Sequence, residues 1–311
     1  MDKVAILTGD PNGIGAEVTV KALEKLNLPA DKIVLISNKN ILQNFKNVKI
    51  SDKYELIEIP YRKEDIKFGQ VTKEAGEFSF QALKKVCELK PKAIVTAPVA
   101  KNALHLAGYI FNGQTEVLQK YLAHDNQKAE MLFVADNFRV LLLTRHCALK
   151  DINITKEIVI NKIENLAKVF SDKFKINKPK FALCGLNPHA GEDGILGSEE
   201  KEILIPSVEC LRNNGIDITY PKPSDTLFIK AGQNYHKNIK DEYDCYIACY
   251  HDQGLIPIKT VAGDKAVNTT IGLDIIRTSP AHGTAFDIAG KGVANPDSMA
   301  EAIKLAIQLS E

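Results

Sequence analysis

Residues 4–15 read Val-Ala-Ile-Leu-Thr-Gly-Asp-Pro-Asn-Gly-Ile-Gly, a short apolar run followed directly by a glycine-rich turn. The run Val4–Leu7 has the length and composition of a buried strand, and the glycines and proline of 9–15 are typical of a turn. A strand that passes through such a turn into a helix is the repeating unit of parallel α/β proteins. This stretch therefore predicts an α/β fold.

Similar apolar runs, rich in β-branched residues, recur along the chain at 33–36, 93–96, 140–144, 181–184 and 245–249. Segments with helical spacing separate them, so strand and helix alternate. This alternation predicts a largely parallel sheet. The polar stretch 37–73 predicts only small strands or excursions at an edge.

Two helices carry clear signals. Four apolar residues fall at i, i+4, i+7 and i+11 behind a cap at Asn153 or Thr155, and these are Val159, Ile163, Leu166 and Phe170. The last helix is expected to begin at 295–298, where Ser298 and Glu301 have the spacing of a capping box.

The charge balance excludes a large class of functions. The 311 residues include 40 Lys plus Arg and 39 Asp plus Glu, a formal net charge of +1. Proteins that bind nucleic acid through phosphate contacts usually carry a basic excess, which is missing here. With 45% apolar residues the chain should fold, and its length favours two lobes, since single cores stop growing near ~250–300 residues.

No membrane or export segment is expected. The apolar run 140–143 is far shorter than a membrane span, and the acidic, turn-containing start of the chain does not have the order of a signal peptide. We therefore expect a cytoplasmic protein. The six cysteines, several within apolar stretches, are expected to be reduced thiols.

Three histidines follow predicted strands at their carboxyl ends: His146, His189 and His251. Ligand sites of open α/β sheets form at that edge. Three imidazoles gathered there predict a divalent metal site with an open position, whereas each histidine taken alone is more simply a polar residue at a strand end. The pair Cys245 and Cys249 has the wrong spacing for zinc and predicts buried core.

Two glycine-rich segments invite a phosphate interpretation. The turn 9–15 lies where a phosphate meets free N–H groups at a helix start, but it departs from the Rossmann pattern and is equally compatible with a structural turn. The segment 290–292 lacks the Ser/Thr of a P-loop, so ATP binding is not supported. Lys259, Asn268 and Arg277 are donors suited to a substrate phosphate or carboxylate, although basic residues are more often solvated surface.

Several long motifs, taken together and in order, closely resemble the 4-hydroxythreonine-4-phosphate dehydrogenase family of pyridoxal phosphate biosynthesis. The similarity runs from the first strand to the last helix and rests on segments 9–15, 96–101, 113–116, 184–192, 224–228 and 250–254. Segment 282–296 also resembles the nucleotide-binding segment of isocitrate and isopropylmalate dehydrogenases, to which that family is related.

The resemblance implies a fold and a domain division. The fold is a two-lobed α/β/α arrangement of the isocitrate and isopropylmalate dehydrogenase type, with the active site in the inter-domain cleft at a dimer interface. Residues 1–111 plus 265–311 form the nucleotide-side domain. Residues 112–264 form the domain that carries the metal ligands and the dimer interface.

The resemblance also assigns site residues. His146, His189 and His251 match the metal ligands, contributed across a homodimer. Substrate binding falls to Gln114, Thr115, Lys259, Asn268 and Arg277. Proton transfer falls to Lys101 and Asp225, and binding of NAD or NADP to His282, Gly283, Thr284, Ala285, Asp287 and Asn295.

One position departs from the family pattern, which usually has His where Gln114 stands. A glutamine side chain donates and accepts hydrogen bonds but does not become a cation near neutral pH. The departure puts a protonated contact to phosphate in doubt. The three imidazoles themselves do not choose among Zn²⁺, Co²⁺ and Mg²⁺.

The implied reaction is oxidation of 4-phosphohydroxy-L-threonine at C3 with NAD(P)⁺, followed by decarboxylation to 3-amino-2-oxopropyl phosphate. Three alternatives remain open at this stage. A sister dehydrogenase of 4-phospho-erythronate or 4-phospho-threonate would use the same sites, a metal-dependent hydrolase would use the histidines to activate water, and a non-catalytic binding module would show no turnover.

Overall fold

The computed structural model describes residues 1–45, 50–124 and 127–311. Eleven strands lie in this part of the chain: β1 Val4–Leu7, β2 Ile33–Ser37, β3 Glu55–Glu58, β4 Ala93–Thr96, β5 Glu130–Ala135, β6 Phe138–Leu142, β7 Lys180–Leu183, β8 Asp217–Ile218, β9 Cys245–Ala248, β10 Val267–Ile271 and β11 Ile276–Pro280.

The described residues also form eleven α-helices: α1 Gly15–Leu26, α2 Lys39–Leu42, α3 Ile50–Lys53, α4 Lys73–Leu89, α5 Lys101–Leu106, α6 Gln114–Leu122, α7 Lys156–Asp172, α8 Ile205–Asn213, α9 Ser224–His236, α10 His251–Ala262 and α11 Asp297–Ser310. None of the helices in the described ranges is both long and apolar enough to cross a membrane.

The chain divides into two compact units. The first contains Met1–Ala129 and Val267–Glu311, and the second contains Glu130–Ala266. The first unit thus includes 112–129, which were predicted to lie in the other domain, and the second unit includes 265 and 266, which were predicted to lie in the first. The reason is packing, because Val117, Leu118 and Leu122 of α6 are buried in the core of the first unit.

The sheet of the first unit has the order β3-β2-β1-β4-β11-β10. All neighbours are parallel except the antiparallel pair β10 and β11. Every residue of β1, β2, β4 and β11 is buried, which requires cover on both faces of these strands. Alternate residues of β1, β2 and β4 pack with α4, α5 and α6 in one apolar cluster, and α11 packs along β4, β10 and β11.

The sheet of the second unit has the order β5-β6-β9-β7-β8, parallel apart from the β5–β6 hairpin. Helices α9 and α10 pack on one apolar cluster of these strands. The predicted stripe of α7 is buried in full, and its Phe170 ring meets Phe181 edge to face at 5.5 Å. The α/β class with largely parallel strands is confirmed.

Helix starts were predicted with mixed success. Thr155 caps α7, accepting from the N–H of Ile158 at 3.3 Å. The capping box at α11 is wrong, because the hydroxyl of Ser298 accepts from the N–H of Ala281 at 3.1 Å and makes no cap. The stretch 37–73 holds the edge strand β3 and the short α2 and α3, while its residues 46–49 lie outside the described part.

Candidate active site

His146 and His251 lie close together at the carboxyl end of the second sheet. Their ring centroids are 5.3 Å apart. The parallel pairing of β6 with β9 continues past both strands, where Thr144 donates through its N–H and its hydroxyl to the carbonyl of Cys249. This pairing brings the two residues that follow the strands to one place.

The surroundings of the two rings keep both able to act as ligands. Partial burial lowers the pKa of His146, and the nearby His251 and Arg145 lower it further. The Nδ1 of His251 lies 2.7 Å from Oδ1 of Asp252. A carboxylate on one ring nitrogen fixes the ring's orientation and leaves the other nitrogen available.

His189 lies in an unusual backbone segment. Residues 189–193 all have positive φ values between 40° and 82°, and only Gly191 among them is a glycine. The ring is exposed and its Nδ1 lies 3.3 Å from Oε1 of Glu192. Within the described residues of one chain, no group of three or more His, Cys, Asp or Glu side chains is arranged to hold a metal. The three-histidine site therefore stays a prediction, with two of its members adjacent.

Glu200 holds the segment that carries His189. Its side chain is buried, and Oε1 accepts from the N–H of Asn187 at 2.8 Å while Oε2 accepts from Nδ2 of Asn187 at 2.9 Å. Glu200 begins a π-helical turn, Glu200–Leu204. A run of left-handed residues costs free energy and persists only where the surrounding structure fixes it, and this carboxylate is one such restraint.

Gln253 ties together three segments of the second unit. Its Oε1 accepts from the N–H of Cys249 at 2.6 Å, and its Nε2 donates to the carbonyl of Gly185 at 2.7 Å and to the hydroxyl of Ser224 at 3.2 Å. These segments lead to His251, His189 and Asp225 respectively. A buried amide with both ends used orders the edge of the sheet where the predicted ligands begin.

The remaining predicted residues of the second unit lie on helices. Asp225 is exposed in the first turn of α9, and Lys259 is exposed in the last turn of α10. Lys259 is two turns from His251, about 12 Å along the helix axis. Cys245 and Cys249 are buried, as predicted, and burial raises the pKa of the Cys245 thiol to about 12.

Arg277 is the buried cation of the first unit. It lies on β11, is 4% exposed, and donates from Nε and Nη2 to the hydroxyl oxygen of Thr96. Burial lowers its pKa to about 10, so it is charged at neutral pH. Among the described residues no carboxylate pairs with it. A desolvated guanidinium without a counter-ion is a strong anion site.

Other residues predicted to bind substrate lie near the carboxyl end of β4, where Thr96 contacts Arg277. Gln114 and Thr115 begin α6, and Nε2 of Gln114 donates to the carbonyl of Ala97 at 3.1 Å. Asn268 lies opposite Ser279 in the β10–β11 pair, on the face that also carries Arg277. The buried Oε1 of Gln114 and Oδ1 of Asn268 have no partner in the described structure. Lys101 is exposed at the start of α5.

The glycine-rich turn 9–15 is structural. The N–H groups of Asp10, Asn12, Gly13 and Ile14 all bond within the first unit, so they are not free to cradle a phosphate. Gly9 has φ +71°, and a Cβ there would lie 2.3 Å from the carbonyl oxygen of Pro98. Of the two interpretations left open by the sequence, the structure supports the turn.

Asp10 was missed by the sequence analysis as a chemically distinct group. Its carboxyl is fully buried, and burial raises the pKa to about 6 against the lowering effect of N–H bonds from Asn12 and Ala100. Oδ2 has no partner among the described residues. An acidic residue beside three glycines signals a turn, and the only further hint was its place at the end of a buried strand.

The predicted cofactor segment follows β11. The Nδ1 of His282 lies 3.0 Å from the carbonyl oxygen of Gly283, and a hydrogen bond between them requires the proton on Nδ1. Its Nε2 is buried and accepts nothing from the described residues. Thr284 accepts from the N–H of Ile14, Ala285 has φ +42°, and Asn295 accepts from the N–H of Asp297 through Oδ1. Asp287 is exposed.

Comparison with known proteins extends over the whole chain. Residues 5–306 match the family model of pyridoxal phosphate biosynthetic protein PdxA. The chain is 41% identical to the 4-hydroxythreonine-4-phosphate dehydrogenase of Sulfurihydrogenibium sp. strain YO3AOP1, covering 99% of this chain and 98% of the relative. It is 38% identical to the D-threonate 4-phosphate dehydrogenase of Salmonella typhimurium, covering 99% and 98%.

Solved structures agree with the fold. The crystal structure of 4-hydroxythreonine-4-phosphate dehydrogenase from Klebsiella pneumoniae matches with a TM-score of 0.86 at 31% identity, covering 99% of this chain and 98% of that one. Isocitrate dehydrogenase from Methylococcus capsulatus matches with a TM-score of 0.52 at 14% identity, covering 99% and 85%. The predicted isocitrate dehydrogenase-like fold is confirmed, while the cleft and the dimer interface stay predictions.

Proposed function

The chain belongs to the family of pyridoxal phosphate biosynthetic protein PdxA, and from this premise we propose that it is an NAD(P)-dependent 4-hydroxythreonine-4-phosphate dehydrogenase. The reaction removes a hydride from C3 of 4-phosphohydroxy-L-threonine and a proton from the hydroxyl group on that carbon. The resulting 3-oxo acid then loses CO₂ to give 3-amino-2-oxopropyl phosphate.

The observation that carries the proposal is the buried, unpaired charge of Arg277. A buried guanidinium whose hydrogen bonds within the described residues go to a hydroxyl oxygen, and not to a carboxylate, is stabilised by an anion. A phosphate monoester is such an anion and accepts bidentate bonds from Arg. Thr115 and Asn268 supply neutral polar groups in the same unit. Lys259, which lies in the second unit, is proposed as a second cation for the substrate.

The fit to a dinucleotide rests on His282. The buried Nε2 has no hydrogen-bond partner in the described structure, and in the neutral tautomer with the proton on Nδ1 it is an acceptor. A ribose hydroxyl is a donor of suitable size. His282, Gly283, Thr284, Ala285, Asp287 and Asn295 would hold the dinucleotide, which when bound accepts the hydride.

The fit to a divalent cation rests on the adjacent rings of His146 and His251. Two imidazoles at 5.3 Å, one oriented by Asp252, offer a partial ligand set, and His189 is proposed to complete it across a homodimer. A cation bound there lowers the pKa of a coordinated hydroxyl and polarises a carbonyl. Zn²⁺, Mg²⁺ and Co²⁺ are the candidates.

Lys101 and Asp225 are proposed for proton transfer. One group must take the hydroxyl proton during oxidation, and one must protonate C2 after CO₂ leaves. Both side chains are exposed on the first turns of α5 and α9. A residue serving in proton transfer should affect the chemical step more than binding.

A second substrate is favoured by one observation, the 38% identity to a D-threonate 4-phosphate dehydrogenase. That substrate class carries a hydroxyl in place of the amine at C2. NAD(P)H absorbance measured with each substrate, with and without a chelator, decides between them. A higher kcat/KM for the amine-bearing substrate supports the proposal, and a higher value for the threonate supports the alternative.

The test of the phosphate site is Arg277→Ala. It should raise KM for the phosphorylated substrate more than KM for the cofactor, and an effect confined to the cofactor would reverse the assignment. The proposed homodimer and cytoplasmic location are tested by sedimentation of the purified protein and by cell fractionation. A hydrolase would release product without any reduced nicotinamide.

A further inference from the structure

Two side chains of α1, those of Glu17 and Lys21, form hydrogen bonds with the backbone just before Asn295. The Nζ of Lys21 donates to Oε1 of Glu17 at 2.7 Å, to the carbonyl of Gly292 at 2.8 Å and to the carbonyl of Ala294 at 3.0 Å. Oε1 of Glu17 also accepts from the N–H of Ala294 at 2.8 Å. An ammonium has three protons, so Lys21 is fully used in this cluster.

The segment that contains these backbone groups has little regular secondary structure. Residues 283–296 are all described and contain neither helix nor strand. Two backbone bonds within it, from Ile288 to Ala285 and from Lys291 to Ile288, lie before Gly292. The backbone of 292–294 is therefore positioned by the side chains of Glu17 and Lys21, with Gly292 at φ +73°.

These hydrogen bonds hold a segment at the surface, where few side chains are packed. Lys291, Gly292 and Val293 are exposed, with Val293 at 65%. The side chain of Glu17 is buried, with 1% of its surface exposed, and the side chain of Lys21 is one-third exposed. Burying a carboxylate is costly unless it is paired and hydrogen-bonded, and here the Nζ of Lys21 and the N–H of Ala294 are its partners.

We propose that Glu17 and Lys21 are positioning residues for the dinucleotide, because they fix the main chain that leads into Asn295. This inference rests on the proposed function, in which segment 282–296 holds NAD or NADP. Neither residue is assigned a contact with the cofactor. Their role is to hold Gly292 and Ala294 where the binding conformation requires them.

The experiment compares Lys21→Met with Lys25→Met. Lys25 lies one turn further along α1 and pairs with the exposed Asp297 at 2.7 Å, so it controls for loss of a lysine and an ion pair on the same helix. Binding of NADH and NADPH is measured by fluorescence titration without substrate, and KM values are measured separately. Lys21→Arg serves as the conservative variant, because its guanidinium can reach the same carbonyls.

We expect Lys21→Met to weaken dinucleotide binding about tenfold, the effect of losing charge-assisted hydrogen bonds. KM for the phosphorylated substrate should change less than about twofold, Lys25→Met should bind as the wild type does, and Lys21→Arg should recover part of the affinity. Equal binding by Lys21→Met and Lys25→Met, or equal losses for cofactor and substrate, would overturn the inference. Wild-type protein that binds neither dinucleotide would instead refute the proposed cofactor, and the inference with it.

Discussion

The guanidinium of Arg277 donates two hydrogen bonds to one atom, the hydroxyl oxygen of Thr96, at 2.9 Å from Nε and 2.6 Å from Nη2. The two residues are 181 positions apart in sequence and lie on neighbouring strands, where Arg277 is paired with Ile94, two residues before Thr96. Thr96 thus sets the direction in which a buried charge points.

Thr96→Val should disturb that direction while keeping the shape of the side chain. Loss of the acceptor leaves the guanidinium less well held, so we expect KM for the phosphorylated substrate to rise about tenfold and stability to fall by about 1–3 kcal/mol. Steady-state kinetics and urea unfolding measure the two effects.

Thr269→Val is the matched control. Thr269 is buried on the neighbouring β10, and its hydroxyl oxygen has no partner in the described residues. The same substitution there should leave KM unchanged. Similar kinetics in both variants would mean that the Thr96 hydroxyl does not orient Arg277.

His189→Ala should abolish cation-dependent turnover and leave the fold intact, because its ring is exposed and its Nδ1 lies near Glu192 at the surface. Calorimetric titration with Zn²⁺ and thermal unfolding separate the two properties. His236→Ala, at the exposed end of α9, is the control. Wild-type turnover and cation stoichiometry in His189→Ala would remove this histidine from the ligand set.

Asp10→Asn should change how stability depends on pH. The folded-state pKa of Asp10 is raised to about 6 from 3.8, so between these values the folded chain keeps a proton that the unfolded chain has lost. The free energy of unfolding therefore falls as pH rises through this window, by up to about 3 kcal/mol.

The variant should lack this fall and be more stable than wild type near pH 8. Denaturant unfolding at pH 4.5 and pH 8 measures the difference, with the exposed Asp31→Asn as control. Parallel pH profiles for Asp10→Asn and wild type would mean that the buried carboxyl is ionised throughout.

Gly76→Ala should separate α4 from α5. A Cβ at this helical position would lie 1.9 Å from the carbonyl oxygen of Ala103, a backbone atom that cannot rotate away. We expect a loss of about 1–3 kcal/mol in urea unfolding. Gly113→Ala has nothing within 4 Å of the added carbon and an extended backbone, so it should be close to neutral.

The sequence predicted six strands that are apolar runs but missed β5, which is apolar over 131–135, as well as strands that are more polar. β10 and β11 carry Asn268, Thr269, Thr270 and Arg277, and buried polar strands do not stand out as hydrophobic. The end of β6 was placed two residues late, at Thr144, because the apolar run continues past Leu142. Periodicity identifies burial, whereas strand ends depend on pairing with neighbours.

The site was predictable where it follows from strand order. His146 and His251 meet because they follow paired parallel strands. Two other contacts join residues far apart in sequence, those of Thr96 with Arg277 and of Lys21 with Ala294. No local sequence pattern predicts such contacts. The raised pKa of Asp10 comes from burial, which the glycine-rich turn around it conceals.

The side chain of Gln114 donates its hydrogen bond to a main-chain carbonyl, that of Ala97. That acceptor is present whatever side chain residue 97 carries, and it takes an imidazole N–H as readily as an amide N–H. The support for the side chain at position 114 therefore comes from the main chain, so another side chain with an N–H donor of suitable length can make the same contact. A substitution at position 114 that keeps an N–H donor can thus change the chemical group at the start of α6 without removing the hydrogen bond that holds it.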